Sequence, residues 1–355
     1  VRTLVVRCPD WPLTALGVGP LQPALVLASG RVVATTPAAR EAGVARGQRL
    51  REAQFRCPEV RVLERDDSRE ARRFEVVAAA LEDVTPWLEA WRPGSCAFGV
   101  RGPVRLSGGE VNLVGRTARL VVAALDDLVG SSAGHPGCGI GVADGRFAAG
   151  LAAGAADASV VDGGGAVVVP PGGVPAFLAP LPVAVLGRPA LVDVLTRLGL
   201  DTLGAFAALP AGDVVARFGA EGRDAHRLAS GMDGRPPDPR PVPPDLEVSV
   251  AFDPPVERVD QVAFAARSLS EALHGRLSDR GLACTLVLIE AETEHGERLA
   301  RRWRDEGVLG PGAVADRVRW QLEGWLHGPP TVRPTSGITR LILIPDEVVD
   351  RKSVV

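Results

Sequence analysis

The chain has 355 residues, 46% of them hydrophobic, and a net charge of −3 at pH 7. Its length predicts about two to four subdomains rather than one core. No apolar run reaches the ~20 residues of a membrane span, and a charge this close to neutral is a weak basis for binding nucleic acid, which needs local positive charge.

The first element is a strand, Thr3 to Val6, running into Arg7-Cys8-Pro9-Asp10-Trp11-Pro12. A strand end this near a chain start is a common mount for catalytic carboxylates, yet only one acid, Asp10, lies there. Two short strands follow, ALVLA and RVVATT. Thr36 then reads as the N-cap of a short helix, with Pro37 at its first position and Gly43 just past its end. A second short helix in GQRLREAQFRC stops before Pro58, and a strand, VRVLE, comes next. From Asp67 to Asp83 the spacing of Phe74, Val77 and Leu81 predicts a long helix. Strands in WLEAWRP and SCAFGVRG, a helix from Glu110 to about Leu128 and a strand in CGIGVAD complete the order β-α-β-β-α-β, with residues 12–66 inserted after the first strand.

Residues 165–244 are rich in Gly and Pro and predict only short helices, and VVDGGGAVVVPPGG (160–173) reads as a plain connection. LGLDTLGAFAALP (198–210) places Gly199, Thr202 and Gly204 in a helix-hairpin-helix turn that can present backbone N–H groups to a phosphate; the alternative is a plain helical turn. After a proline-rich linker at 234–245 the order recurs: strand 247–252, helix 258–280, strands 282–293 and 297–304, helix 312–327, strand 337–345. In RLARRWR, Arg298, Arg302 and Arg304 share one strand face, and Leu299 and Trp303 the other. The arginine face suits phosphates or is simply solvated: residues 245–347 hold 12 arginines against 17 acids, whereas residues 1–66 hold 10 against 6. The five cysteines are odd in number, scattered and without a C-x-x-C, so they read as reduced core thiols of a cytoplasmic protein with no metal site.

In this order and spacing, CPDWP, GQRLREAQFRCPEVRVLERD, GIGVADGRFAAGLAA, LGLDTLGAFAALPAGDVVARFG and HRLASGMDG resemble the Y-family translesion DNA polymerases over nearly the whole chain, and most closely their ImuB branch. The resemblance implies an α+β fold with a palm (1–11 and 67–164), fingers (12–66), a helix-hairpin-helix thumb (165–240), a little finger (241–348) and a tail (349–355). Palm and little finger each carry the ferredoxin-like βαββαβ pattern. Active members hold two Mg²⁺ ions on carboxylates at adjacent strand ends. Laid on this sequence, the first acidic motif falls at Arg7 and Pro9, and the acids of the second at Gly94 and Ser95. Among the triphosphate-gripping residues, a Tyr falls on Pro37, an Arg persists as Arg40 and a Lys falls near Asp144.

The resemblance therefore implies a retired active site. The expectation is that the chain is not an enzyme and needs no metal or other cofactor. It would serve as the scaffold of a DNA-damage-induced mutasome, with weak, salt-dependent DNA binding. Its implied partners are the sliding clamp, the RecA-like accessory protein ImuA′ and an error-prone replicative-type DNA polymerase. Arg7 is expected to pair with an acid such as Glu89. QLEGW (321–325) superficially resembles a clamp-binding motif, but Leu322 and Trp325 are expected to be buried in a helix. The alternative is an active polymerase with ligands relocated to Asp10, Glu89 or Glu110. A nucleotide cyclase built on the same palm leaves the thumb and little finger unexplained.

Overall fold

The computed structural model describes residues 1–129, 137–158, 165–233, 244–305, 307–328 and 333–351. Most of the proline-rich linker, the glycine run at 160–164 and tail residues 352–355 lie outside the described residues.

β1 (Arg2–Arg7) alternates Leu4 and Val6 on one face with Val5 on the other, all three at most 1% exposed. A strand buried on both faces needs cover on both sides. α1 (Trp11–Ala15) turns the chain into an inserted module: β2 (Ala24–Ala28), β3 (Arg31–Thr35), α2 (Pro37–Glu41), α3 (Leu50–Arg56) and β4 (Arg61–Glu64). Its three strands form a separate sheet in the order β3-β2-β4, over small cores of its own. Thr36 caps α2 as expected, its Oγ1 accepting from the Ala39 amide at 3.3 Å.

α4 (Asp67–Glu82) and α6 (Glu110–Val129) cover the Leu4 face of β1. Between them lie β5 (Glu89–Arg92), β6 (Ser95–Gly99) and α5 (Arg101–Ser107), a short helix the sequence pattern did not indicate. β7 (Gly139–Asp144) completes the palm-like set. In the order β7-β1-β6-β5 the first strand is central.

The Val5 face is covered by α7 (Arg146–Ala158), also absent from the sequence reading. Its contact residues Ala148, Ala149, Ala152 and Ala153 are all 0% exposed, so the helix buries small side chains instead of an aliphatic stripe. Close approach needs Gly141 on β7, where a Cβ would lie 2.0 Å from the Ala149 carbonyl oxygen. The expected plain connection after α7 is corrected: Gly165–Val168 form β8, parallel to β7.

The helical segment comprises α8 (Val174–Leu178), α9 (Pro189–Arg197), α10 (Leu203–Ala207) and α11 (Ala211–Ala229), and it shares its core with α7. At 19 residues α11 exceeds the short helices expected, but Gly219, at φ +63°, kinks it into two pieces.

The last module runs β9 (Val248–Val256), α12 (Val259–Asp279), β10 (Leu282–Thr293), β11 (Arg298–Arg304), α13 (Pro311–Leu326) and β12 (Ile338–Asp350). The βαββαβ order recurs, but with sheet order β11-β10-β12-β9 its first strand is at an edge. Leu322 and Trp325 are in the core, as expected.

β11 pairs in parallel with β5, Arg302 opposite Glu89 and Trp303 opposite Ala90, so the two modules share one nine-stranded sheet. Behind that seam Arg301, 4% exposed, donates to Glu75 and, at 2.9 Å, to Glu82, both on α4. Arg72 on α4 reaches Glu323 on α13 at 3.1 Å.

All five cysteines are buried and unpaired in disulfides. Burial pushes the thiols of Cys96 and Cys284 up to about 12. Thiolate chemistry needs deprotonation and access. These two thiols should not react with a thiol-specific disulfide reagent in native protein at pH 8, and should react on adding denaturant; native-state labelling followed by peptide mapping checks this.

Candidate functional site

Arg7 ends β1 opposite Ser95 of β6 and Gly139 of β7. The Cys8 amide donates to the Gly94 carbonyl at 2.8 Å. Folding thus brings Arg7, Pro9, Gly94 and Ser95 to one strand-end cluster. The Arg7 guanidinium lies against α7, where a Cβ on Gly154 would stand 2.7 Å from its Nη1. Gly94 adopts φ +88°, and a Cβ there would lie 2.5 Å from that of Trp11. Trp11 is fixed in turn, its Nε1 donating to the Glu70 carbonyl at 3.0 Å and its ring packing edge-on to Phe74. Position 94 therefore has no room for a side chain.

Asp10 follows at φ +49°, starting α1. Its carboxylate, 11% exposed, accepts from Arg40 and, at 2.8 Å, from Arg46. The remaining strand-end acid and the arginine at the nucleotide-gripping position thus neutralise each other and tie the inserted module to the end of β1. Pro37 only opens α2. Asp144, at the far end of β7, pairs with Arg2 at 3.4 Å and accepts from the Gly172 amide.

Two expectations are corrected. Glu89 is held by Arg304 at 2.7 Å and Arg146 at 3.3 Å, so the proposed Arg7–Glu89 pair gives way to these partners. Glu110 pairs with Arg2 at 2.6 Å, at the opposite end of β1 from Asp10, so Asp10, Glu89 and Glu110 form no common ligand set. At the expected phosphate turn some of the amides are bonded within the chain. Gly199, at φ +76°, and Thr202, whose Oγ1 accepts from the Ala205 amide at 3.2 Å, shape the entry to α10. The Leu203 and Gly204 amides donate to the Leu181 and Ala179 carbonyls at 2.8 and 3.0 Å. The helix start offers those two amides to its own backbone.

The arginines of β11 have separate fates. Arg298 is exposed, with Glu292 at 3.1 Å. Arg302 lies over the exposed Trp87 ring at 4.4 Å and pairs with Asp346 at 2.6 Å. Arg304 is 5% exposed and bridges Glu89 and Glu347. Burial opposes its charge, but the bonds to Glu347 and Glu89 outweigh that and keep its affinity for the proton above the ordinary range. In this arrangement Arg304 belongs to the seam and does not face phosphates. Arg301, on the face read as packing, is the residue the alternation argument missed. An arginine on an apolar strand face beside Trp303 was the available signal.

The matches to known proteins agree with this architecture. Residues 16–154 match the impB/mucB/samB family model. DNA polymerase IV of Halobacterium salinarum is 33% identical over 303 residues, covering 82% of this chain and 71% of that protein. The chain belongs to the Y-family DNA polymerases. DNA polymerase IV 1 of Mesorhizobium japonicum is 26% identical over 284 residues, 79% of this chain and 61% of that protein. Among solved structures, DinB from Sulfolobus solfataricus covers 98% of this Y-family chain and 99% of its own, with TM-score 0.54 at 15% identity. The insertion ternary complex of Dbh DNA polymerase gives 0.55 at 16% identity, over 99% and 98% of the two chains. At that identity the two structures establish the shared fold.

The relatives overturn one expectation outright. That the chain is not an enzyme does not stand beside family membership and relatives named DNA polymerase IV. A pair of divalent cations does not fit the side chains at the positions that the resemblance assigns to it. Arg7 is a cation, Pro9 has no donor, Gly94 has neither side chain nor room for one, and Ser95 offers one hydroxyl on a residue 7% exposed. A hard divalent ion needs several oxygen ligands, and this cluster presents one side-chain oxygen.

Proposed function

We propose that this chain works on primer–template DNA in translesion synthesis, as a Y-family DNA polymerase. The observation that carries the reading is the 33% identity over 303 residues to a protein named DNA polymerase IV, an alignment that takes in most of the fold. The chain's own residues supply a rigid frame. β1 holds the strand-end cluster against β6 and β7, the Asp10–Arg40–Arg46 contact fixes the fingers over it, and Arg298 and Arg302 lie on the sheet face of the last module. With acids outnumbering arginines in that module, DNA affinity should be modest and fall steeply with salt.

The test is primer extension by the full chain on a primer–template, with Mg²⁺ and separately with Mn²⁺. Template-directed incorporation above a no-enzyme control would carry the polymerase reading and place the metal ligands outside positions 7, 9, 94 and 95. Primer–template binding without incorporation under both metals would remove the polymerase reading and leave a DNA-holding protein.

Within the family we place the chain in the ImuB branch, on the stretches CPDWP and LGLDTLG in their order and spacing. That placement adds partners: the sliding clamp, the RecA-like accessory protein ImuA′ and an error-prone replicative-type polymerase. Sedimentation of the chain with each purified partner tests it. Co-sedimentation with none of the three would sink the assembly role while leaving DNA synthesis untouched.

A further inference from the structure

Phe55 is the most solvent-exposed large apolar side chain among the described residues, at 88%. It stands on α3 of the fingers, where Ala53 is 0% exposed and faces the small core. A phenyl ring left in water forgoes the gain of burial, so its position invites a partner. Arg51 precedes Phe55 by four residues and shares its helix face. Arg56 adjoins it, its Nη1 lying 3.4 Å from where a Gly43 Cβ would be. Arg49 caps the helix start from an extended conformation. All three arginines are exposed, and no described carboxylate pairs with them. Glu52, exposed one turn before Arg56, is the one acid on the helix. The patch is continuous in sequence with Arg46, which is held at the β1 strand end by Asp10.

We propose that this face of α3 binds single-stranded DNA, the unpaired template strand, by stacking one base on Phe55 while Arg49, Arg51 and Arg56 hold the flanking phosphates. The inference rests on the reading that the chain works on primer–template DNA, and it adds a second contact region outside the shared sheet. The chemistry selects a single strand. In a duplex the base faces are already stacked on one another, and a ring on a convex helix cannot reach them. In a single strand each base offers a π-face whatever its identity, so the contact is sequence-tolerant. Three exposed arginines on the same short helix, without a carboxylate partner among the described residues, supply the charge that such a strand needs, in the most basic part of the chain.

The experiment compares the full chain with Phe55→Ala, Phe55→Trp and the double variant Arg51→Gln/Arg56→Gln. Fluorescence anisotropy is read on a blunt duplex and on the same duplex with an oligothymidine 5′ overhang, across a salt series. The wild-type chain should prefer the overhang. Phe55→Ala should weaken overhang binding by about five- to twenty-fold, with blunt-duplex binding unchanged, and Phe55→Trp should restore it. The double arginine variant should flatten the log–log salt dependence on the overhang by roughly 0.7 per charge removed. Equal overhang binding by wild type and Phe55→Ala overturns this inference alone. Failure of the wild-type chain to bind either DNA at low salt overturns the reading it rests on. Concentration-dependent self-association abolished by Phe55→Ala would assign the patch to a second copy of the chain and also overturn it.

Discussion

Arg301→Leu is expected to lower stability by about 3–5 kcal/mol, the usual cost of leaving a buried charge without its partner. Arg301 is 4% exposed and Glu75 is likewise 4% exposed, whereas the Glu82 side chain is 48% exposed and can return to water. The penalty therefore falls on Glu75. It sits in a tight place: a Cβ on Gly324 of α13 would lie 2.9 Å from its Oε2. Urea unfolding followed by tryptophan fluorescence should show an earlier midpoint for Arg301→Leu. The double variant Glu75→Leu/Arg301→Leu should regain most of the loss, because replacing both partners removes the stranded charge. A single variant as stable as wild type would mean that Glu75 finds water or a proton at little cost, and that the seam between α4 and β11 is looser than its geometry indicates. The same seam carries the β5–β11 pairing, so Arg301→Leu should also raise amide exchange at Trp303 before it does so at Leu4.

Gly94→Asp, which places an acid where the resemblance implies a family ligand, is expected to destabilise the chain by roughly 3 kcal/mol. Two effects add. A residue other than glycine is strained at φ +88°, and its Cβ would meet the Trp11 Cβ at 2.5 Å. Gly94→Ala should cost nearly as much, since the clash begins at the Cβ and owes little to the carboxylate. In the Trp11→Ala background the extra penalty for Gly94→Ala should shrink, which a double-mutant cycle in urea would measure. Tolerance of Gly94→Asp with wild-type stability would show that the strand end can remodel, and would reopen position 94 as a ligand site.

Much of the fold was legible because it rests on local pattern. The alternation in β1, the apolar stripe of α4 and α6, the Thr36 cap with Pro37 behind it, and the two βαββαβ successions can all be read from spacing. The cluster of Arg7, Pro9, Gly94 and Ser95 was legible only through the family resemblance, and the structure then pairs Arg7 with Ser95 across β1 and β6. α7 was missed because its buried face is alanine, which carries little periodic signal, and because the fit depends on Gly141 allowing the backbones to touch. β8 was missed because a four-residue parallel strand exists only by virtue of its neighbour.

What the amino-acid order determined by itself is therefore most of the elements, the family and the unusual residues at the strand end. Charge assignment required the tertiary structure. Asp10 looked like a vestige and Arg40 like a nucleotide contact, until folding put them against each other. Arg304 looked like a phosphate contact and Arg301 was not singled out, until β11 docked on β5 and set both among carboxylates. The reason is physical. An arginine's alternation along a strand tells which way it points, but whether it meets water, phosphate or a buried glutamate depends on what lies there. In this chain Glu75 and Glu89 come from α4 and β5, more than two hundred residues earlier, and Glu347 comes from β12, on the far side of β10.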